Sequence, residues 1–144
     1  MIRRATTDDI ARLIEMGERF AAETEYCAII KVRKDRLSDS IGSVLANPDG
    51  VVLLSGSALK TTGMIAMLAY DHPFSGERTA FEIIWWVEPE ARGDGVRLLR
   101  AAENWAREQG ASAMQMVAPN DRVGLLYRRL GYLPVETSYQ RNLL

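Results

Sequence analysis

The spacing of apolar residues changes twice along the chain, and this restricts the possible folds more than any other feature of the sequence. Residues 10–45 repeat apolar side chains at helical spacing, whereas residues 51–87 hold short apolar runs bounded by glycine, proline or serine. Helical spacing returns after Gly95. Helices, then strands, then helices again predict an α/β fold in which helices cover one sheet.

The predicted elements follow the order β-α-α-β-β-β-α-β-α-β. Thr6 and Asp9 form a capping-box pattern at the start of the first helix, and turn residues at 47–50 end the second helix. The remaining elements are predicted as an edge strand at 2–5, strands at 51–55, 64–70, 80–87 and 113–118, a helix at 95–109, a short helix from Asn120 to Gly131, and one or two final strands within 133–142.

The connections between these strands predict the topology of the sheet. A helix joins the strands at 80–87 and 113–118, so a right-handed crossover makes this pair parallel. The earlier strands are joined by short turns and are expected to be antiparallel. The sequence therefore predicts a mixed sheet, antiparallel in its N-terminal part, with helices on both faces.

Composition restricts the class of protein. The 144 residues fit a single domain over 1–144, and the net charge of -1 provides no positive field that would attract nucleic acid or anionic lipid. No apolar run approaches the roughly 20 residues that cross a bilayer. A cytoplasmic protein without nucleic-acid or membrane partners is expected. His72 stands alone, so no metal site is expected, and Cys27 is interpreted as a small packed residue rather than a nucleophile.

A strand at 80–87 runs through a glycine-bearing loop directly into the helix at 95–109. The first turn of a helix has unpaired N–H groups and about half a positive charge, and glycines let an anion approach the backbone closely. The junction is therefore a candidate cradle for a pyrophosphate, to which Arg92 and Arg97 would add charge. Taken alone, it also fits a tight turn without any ligand.

Later residues sharpen this interpretation. Asn120 follows the last predicted parallel strand, and Tyr127 stands four residues before the pair at 131–132. Together with Arg92 and Gly95, they make the sequence similar to the GNAT superfamily of acetyl-CoA-dependent N-acetyltransferases. That superfamily has an Arg/Gln-x-x-Gly-x-Gly/Ala loop, then an Asn, then Tyr-x-x-x-Gly-Phe/Tyr. The resemblance spans nearly the whole chain.

The loop departs from the superfamily pattern and allows two registers. Arg97 stands where a small residue is usual, and the loop is about two residues short. In one register Arg92 and Gly95 hold the family positions. In the other, Gly93 and Gly95 are the loop glycines and Glu90 replaces the leading Arg/Gln. Gly95 belongs to the cradle in both.

The resemblance implies that acetyl-CoA is the co-substrate and that an amine attacks its thioester directly in a ternary complex. A backbone N–H near Trp86 or Val87 would polarise the thioester carbonyl. The residues implied to contact the cofactor are Trp86, Val87, Arg92, Gly93, Asp94, Gly95, Val96, Arg97, Asn120 and Tyr127.

Two residues are candidates for proton transfer. The resemblance implies that Tyr127 protonates the departing thiolate; the alternative is a core tyrosine. Glu82 is the candidate base for the attacking ammonium; the alternative is a solvent-facing strand residue. The acceptor is expected to be a small-molecule or protein amine that enters beside segment 23–36, and a homodimer is possible. Two other functions stay open: a catalytically idle acyl-CoA-binding module and a GNAT-fold interaction protein.

Overall fold

The computed structural model describes residues 1–57 and 59–144, and the interpretation of the Cys27 side chain lies outside what it describes. The strands are β1 (Ile2–Arg4), β2 (Gly50–Gly56), β3 (Thr61–Asp71), β4 (Arg78–Val87) and β5 (Ala113–Gln115). The α-helices are α1 (Ile10–Glu23), α2 (Tyr26–Ile29), α3 (Lys34–Ala46), α4 (Gly95–Glu108) and α5 (Asp121–Arg129), and 3₁₀ helices span Thr7–Asp9 and Pro89–Asp94. We call Pro89–Asp94 the loop helix.

The five strands form one sheet in the order β1-β2-β3-β4-β5. Neighbouring strands are antiparallel except for β4 and β5, which pair in parallel from Thr79↔Ala113 to Phe81↔Gln115. The predicted mixed sheet is therefore confirmed, including its antiparallel N-terminal part and its parallel final pair.

Each face of the sheet packs against helices. On one face α4 buries Leu98, Leu99 and Trp105 against the strands. On the other face α1 buries Leu13 and Met16, and α3 packs partly buried apolar residues beside them. Apolar positions at helical spacing in these helices explain the burial, since one stripe of each helix faces the sheet.

The strand β4 carries one residue more than its partner. Ala66 of β3 faces Ile84 and the next residue, Met67, faces Glu82, so Ile83 is an extra residue that forms a β-bulge. Side chains alternate along a strand, and an extra residue reverses that alternation. The bulge therefore changes the face to which Glu82 points relative to Ile84 and Trp86, both of which pack on the α1 side.

The C-terminal segment differs from the prediction. The expected final strands within 133–142 do not form, and residues 133–144 contain neither helix nor strand. Its large apolar side chains remain in solvent, with exposures of 82% for Leu133, 76% for Val135, 92% for Tyr139 and 88% for Leu143. The segment does not pair with the outer edge of β5 or with another strand in the described part of the chain, so its backbone groups lack the partners that a strand requires. The strand predicted at 113–118 is also shorter, since β5 ends at Gln115.

Candidate active site

The two parallel strands separate partway along β4. Pairing with β5 stops at Phe81, whereas β4 continues to Val87, so this stretch of β4 has no strand partner on its outer side within the described part of the chain. The Glu88 N–H donates to the Thr62 carbonyl of β3 at 2.8 Å. Because backbone groups alternate along a strand, Val87 directs its N–H and C=O into the gap, whereas Trp86 directs its own towards β3.

Glu82 and Tyr127 meet at the inner end of this gap. The Tyr127 hydroxyl lies 3.3 Å from the Glu82 carboxylate and 3.2 Å from the Val117 carbonyl, and the Val117 N–H donates to Glu82 at 3.0 Å. Burial raises the pKa of Glu82 to about 7, against the lowering effect of these two hydrogen bonds. The carboxylate can therefore gain or lose a proton near neutral pH.

Tyr127 is buried and held by aromatic neighbours. Its ring stacks on Trp85 with centroids 5.7 Å apart and contacts the ring of Tyr132 at 5.6 Å. Burial raises the pKa of Tyr127 above its ordinary value, and the charge of Glu82 acts in the same direction. The phenol therefore stays protonated and acts as a hydrogen-bond donor.

A cleft of about 180 Å³ opens beside this pair. It lies between the α1–α2 region on one side and β4 with α5 on the other. Its lining is mostly aromatic and aliphatic, with Glu82 at its inner end, and consists of Phe20, Tyr26, Glu82, Ile83, Trp85, Val117, Pro119, Val123 and Tyr127. The structure thus brings the two candidate proton-transfer residues, Glu82 and Tyr127, together in one concave site.

In the predicted pyrophosphate cradle, fewer backbone N–H groups are free than in an open glycine loop. The Gly95 N–H donates to the Arg92 carbonyl, so the loop helix continues directly into α4. A Cβ atom on Gly95 would lie 3.3 Å from the Trp85 ring, so this glycine is needed where α4 packs on β4. A Cβ on Gly93 would meet open space among the described residues. Gly93 is therefore on the solvent side of the junction and Gly95 on the core side.

The remaining predicted cofactor residues lie around this junction. The Arg92 guanidinium sits over the Trp86 ring at 5.3 Å and reaches Glu23 of α1 at 3.5 Å. Arg97 is exposed and lies 3.5 Å from Asp94, and Val96 is half-buried in the first turn of α4. Asn120 caps α5, since its side-chain oxygen accepts from the Val123 N–H at 3.0 Å, a partly structural role.

Glu88, which directly precedes the loop helix, is a residue near the site that the sequence pattern did not reveal. Its side chain is fully buried, and its carboxylate pairs with Arg12 at 3.0 Å and with Arg19 at 2.5 Å. Both arginines belong to α1, so the ion triad ties α1 to the end of β4. A glutamate before a proline in a predicted loop gives no sequence signal of burial.

The site therefore combines an open strand edge, a titratable carboxylate and a protonated phenol. The chain belongs to the acetyltransferase (GNAT) family, whose profile matches residues 21–132. No curated protein matches the chain in sequence.

Solved structures share the fold over almost the full length of the chain. A predicted acetyltransferase from Clostridium acetobutylicum, solved with acetyl-CoA, is 21% identical with a TM-score of 0.81, covering 99% of this chain and 96% of that chain. An aminoglycoside 6'-N-acetyltransferase from Acinetobacter haemolyticus is 19% identical with a TM-score of 0.78, covering 99% and 97%. A transcriptional regulator from Bacillus halodurans is 18% identical with a TM-score of 0.80, covering 99% of each chain.

The described residues contain neither a membrane-spanning helix nor a cluster of metal-ligating side chains. No helix within residues 1–57 and 59–144 combines the length and the apolar character that a membrane span requires. In the same residues, no three His, Cys, Asp or Glu side chains gather as metal ligands would.

The residues present fit one end of acetyl-CoA, the co-substrate that the family uses, better than the other end. Within the described residues, the outer edge of β4 has no strand partner beyond Phe81. The Val87 C=O already accepts from Arg92 Nε at 3.4 Å, so the Val87 N–H is the group left for an extended amide-bearing chain, and the cleft beyond it has room for an acetyl group. At the other end Gly93 leaves the loop helix open to solvent, while the Gly95 N–H is already bonded. The residues therefore fit the thioester end of acetyl-CoA well. At the diphosphate end they leave fewer backbone N–H donors than an open glycine loop would.

Proposed function

We propose that the chain is an N-acetyltransferase that transfers an acetyl group from acetyl-CoA to a primary amine by direct attack in a ternary complex. The observation that carries this proposal is the contact between Glu82 and Tyr127, 3.3 Å apart at the inner end of the β4–β5 gap. Acetyl-CoA supplies the activated acetyl group and leaves as a thiol. The protein would supply a base, an acid and a polarising N–H.

Glu82 is the proposed general base. An attacking ammonium must lose a proton, and a base with a pKa of about 7 is half ionised at neutral pH. The carboxylate lines the cleft, so it can take this proton directly or through one water molecule. Burial of the side chain, rather than a neighbouring acid, is the main cause of its raised pKa.

Tyr127 is the proposed general acid. Its single hydroxyl proton is directed at Glu82 or at the Val117 carbonyl in the structure, and a small rotation about the C–O bond would turn it towards a sulfur in the gap. The Val87 N–H is the proposed donor to the thioester carbonyl, since it faces the same gap. We assign Gly93 and the first turn of α4, with Arg97 and Arg92, to the diphosphate.

Release of CoA from acetyl-CoA tests this function. Purified protein is mixed with acetyl-CoA and a panel of primary amines, and the free thiol is measured with a colorimetric reagent. We expect amine-dependent release that Glu82→Gln reduces at least 100-fold, while calorimetry gives the variant an unchanged Kd for acetyl-CoA. Tight binding of acetyl-CoA without release for any amine would contradict the proposal.

The second candidate function, an acyl-CoA-binding module without catalysis, is motivated by the loop. The bonded Gly95 N–H and the presence of Arg97 restrict the diphosphate site. Such a module would bind acetyl-CoA measurably in calorimetry but would release no thiol with any amine. A GNAT-fold interaction protein, the third candidate, would show neither.

We also propose that the chain forms a homodimer through residues 133–144. Leu133, Val135, Tyr139 and Leu143 all fall on odd positions, the spacing of one face of a strand, although Thr137 and Arg141 interrupt this apolar side. The four apolar side chains lie in solvent in the single chain. The outer edge of β5 has no strand partner within the described residues. Reciprocal exchange of this segment onto β5 of a second copy would pair both edges under two-fold symmetry.

A further inference from the structure

The walls of the cleft point to an acceptor of one chemical class. We propose that the acceptor is a small primary amine with a single positive charge and an apolar, ring-sized body. This inference rests on the proposed N-acetyltransferase function and specifies its substrate. It differs from what the aminoglycoside-modifying structural neighbour would suggest.

The charge of the acceptor follows from the carboxylates that face it. Glu82 is the one carboxylate among the cleft-lining residues that the structure describes. Of the acidic residues on α1, Glu23 is paired with Arg19 and Arg92, and Glu18 with Lys34. Glu25 and Asp121 are exposed and do not line the cleft. A polyamine or aminoglycoside would bring additional ammonium groups into a cleft that offers no further carboxylate, and burying an unpaired charge is unfavourable.

The aromatic side chains that line the cleft indicate that the acceptor has an apolar, ring-shaped body. Phe20 and Tyr26, from α1 and α2, lie with ring centroids 5.4 Å apart and form one wall. The stacked rings of Trp85 and Tyr127 line the cleft on the side of β4 and α5, where the proposed general acid lies. Aromatic faces favour a flat apolar group, and they also favour a cation near their centres.

The volume sets the upper limit on size. A cavity of about 150 Å³ is enough to hold benzene in another protein, and the cleft here has about 180 Å³. One benzene-sized ring therefore takes up most of this volume, and a second ring does not fit.

The experiment compares amines that differ in one property at a time. The panel consists of 2-phenylethylamine, propylamine, putrescine, kanamycin and an alanine-initiated tetrapeptide, each assayed for thiol release from acetyl-CoA. We expect kcat/KM for 2-phenylethylamine to exceed that of propylamine by about 10- to 100-fold, the range expected for burial of a ring. The two polycations should be poorer still.

Variants of the α1–α2 wall test the assignment of the ring contact. Phe20→Leu and Tyr26→Ala should reduce the preference for 2-phenylethylamine over propylamine at least fivefold, with an unchanged Kd for acetyl-CoA. Phe74→Leu is the control, since Phe74 is 95% exposed and does not line the cleft. A higher kcat/KM for kanamycin, putrescine or the tetrapeptide than for 2-phenylethylamine would overturn the inference.

The binding of amines separates this inference from the proposed function. If no amine releases CoA, the enzymatic proposal fails, and calorimetric titration of the same amines into the protein–CoA complex then decides the acceptor class. Tighter binding of 2-phenylethylamine than of propylamine and kanamycin would still support a one-charge, one-ring site. Equal or reversed affinities would overturn it.

Discussion

Glu82 links the stability of the protein to its proposed activity. Its carboxyl has a pKa of about 7 in the fold against an ordinary value of 4.5, because burial disfavours the charged form. The neutral form is therefore favoured by folding. This contribution is complete below about pH 4.5 and is lost as the pH rises through 7, by up to about 3 kcal/mol.

Replacement of Glu82 by glutamine should therefore stabilise the protein at alkaline pH. The amide keeps the shape of the side chain and removes the buried charge, so we expect the Tm of Glu82→Gln to exceed that of the wild type by several degrees at pH 8.5. The difference should shrink towards zero at pH 4.5. Thermal unfolding followed across this pH range measures it, and a constant difference at all pH values would argue against a buried charge.

The hydroxyl of Tyr127 should influence the pH at which kcat/KM falls on the acid side of its pH profile. Its hydroxyl donates to Glu82 and thereby lowers the pKa of that carboxyl. In Tyr127→Phe we expect kcat to fall about 100-fold and the acid limb of kcat/KM to move above pH 7. Tyr132→Phe is the matched control, because the Tyr132 hydroxyl donates to Glu103 at 2.8 Å instead. A limb that moves equally in both variants would contradict the assignment.

The two glycines of the loop should respond differently to alanine. Gly95→Ala places a Cβ 3.3 Å from Trp85 and should lower the Tm, since neither the ring nor α4 has room to move freely. Gly93→Ala should leave the Tm unchanged and weaken acetyl-CoA binding about tenfold, if this glycine contacts the diphosphate. Calorimetry and thermal unfolding on both variants measure the two effects. An unchanged Kd in Gly93→Ala would place the diphosphate elsewhere.

The secondary-structure elements show what the sequence can predict and what it cannot. Helical spacing predicted α1 and α4, and the crossover through α4 predicted the parallel pairing of β4 and β5. The bulge at Ile83 gave no signal, because a β-bulge depends on pairing with β3 rather than on residue type. The site residues were predicted from motif order, but the contact between Glu82 and Tyr127 exists because that bulge aims the carboxylate.

The connection between α1 and the loop helix should depend on Glu88. Glu88→Gln removes the buried carboxylate, while Arg12 and Arg19 stay partly exposed and keep Glu15 and Glu23 as partners. The loss of two charged hydrogen bonds is expected to cost about 1.5–3 kcal/mol and to lower the Tm by several degrees. Glu15→Gln is the control, because Glu15 also pairs with Arg12 at 3.0 Å but is exposed. Its loss should change stability by less than about 1 kcal/mol. Chemical denaturation measures both, and equal effects would contradict the buried triad.

At the C-terminus, the sequence predicts strands, whereas the structure of the single chain has none. This difference bears on how the chain assembles. Residues 133–142 were predicted to contain one or two strands, and β5 has an edge without a strand partner in the described residues, yet the two are not paired. Pairing of backbone groups and burial of apolar side chains both favour a second copy.

We therefore expect the wild-type protein to sediment as a dimer at micromolar concentration, and a variant that ends at Tyr132 to sediment as a monomer. The double substitution Val135→Lys with Tyr139→Lys keeps the full length, places charges on the apolar side of the segment and should raise the dimer Kd at least tenfold. Phe74→Lys is the control, since Phe74 is equally exposed but lies between β3 and β4. Analytical ultracentrifugation measures all four proteins. A dimer that persists after removal of the segment would assign the interface to another surface, and a monomeric wild type at 100-fold higher concentration would leave the segment without this role.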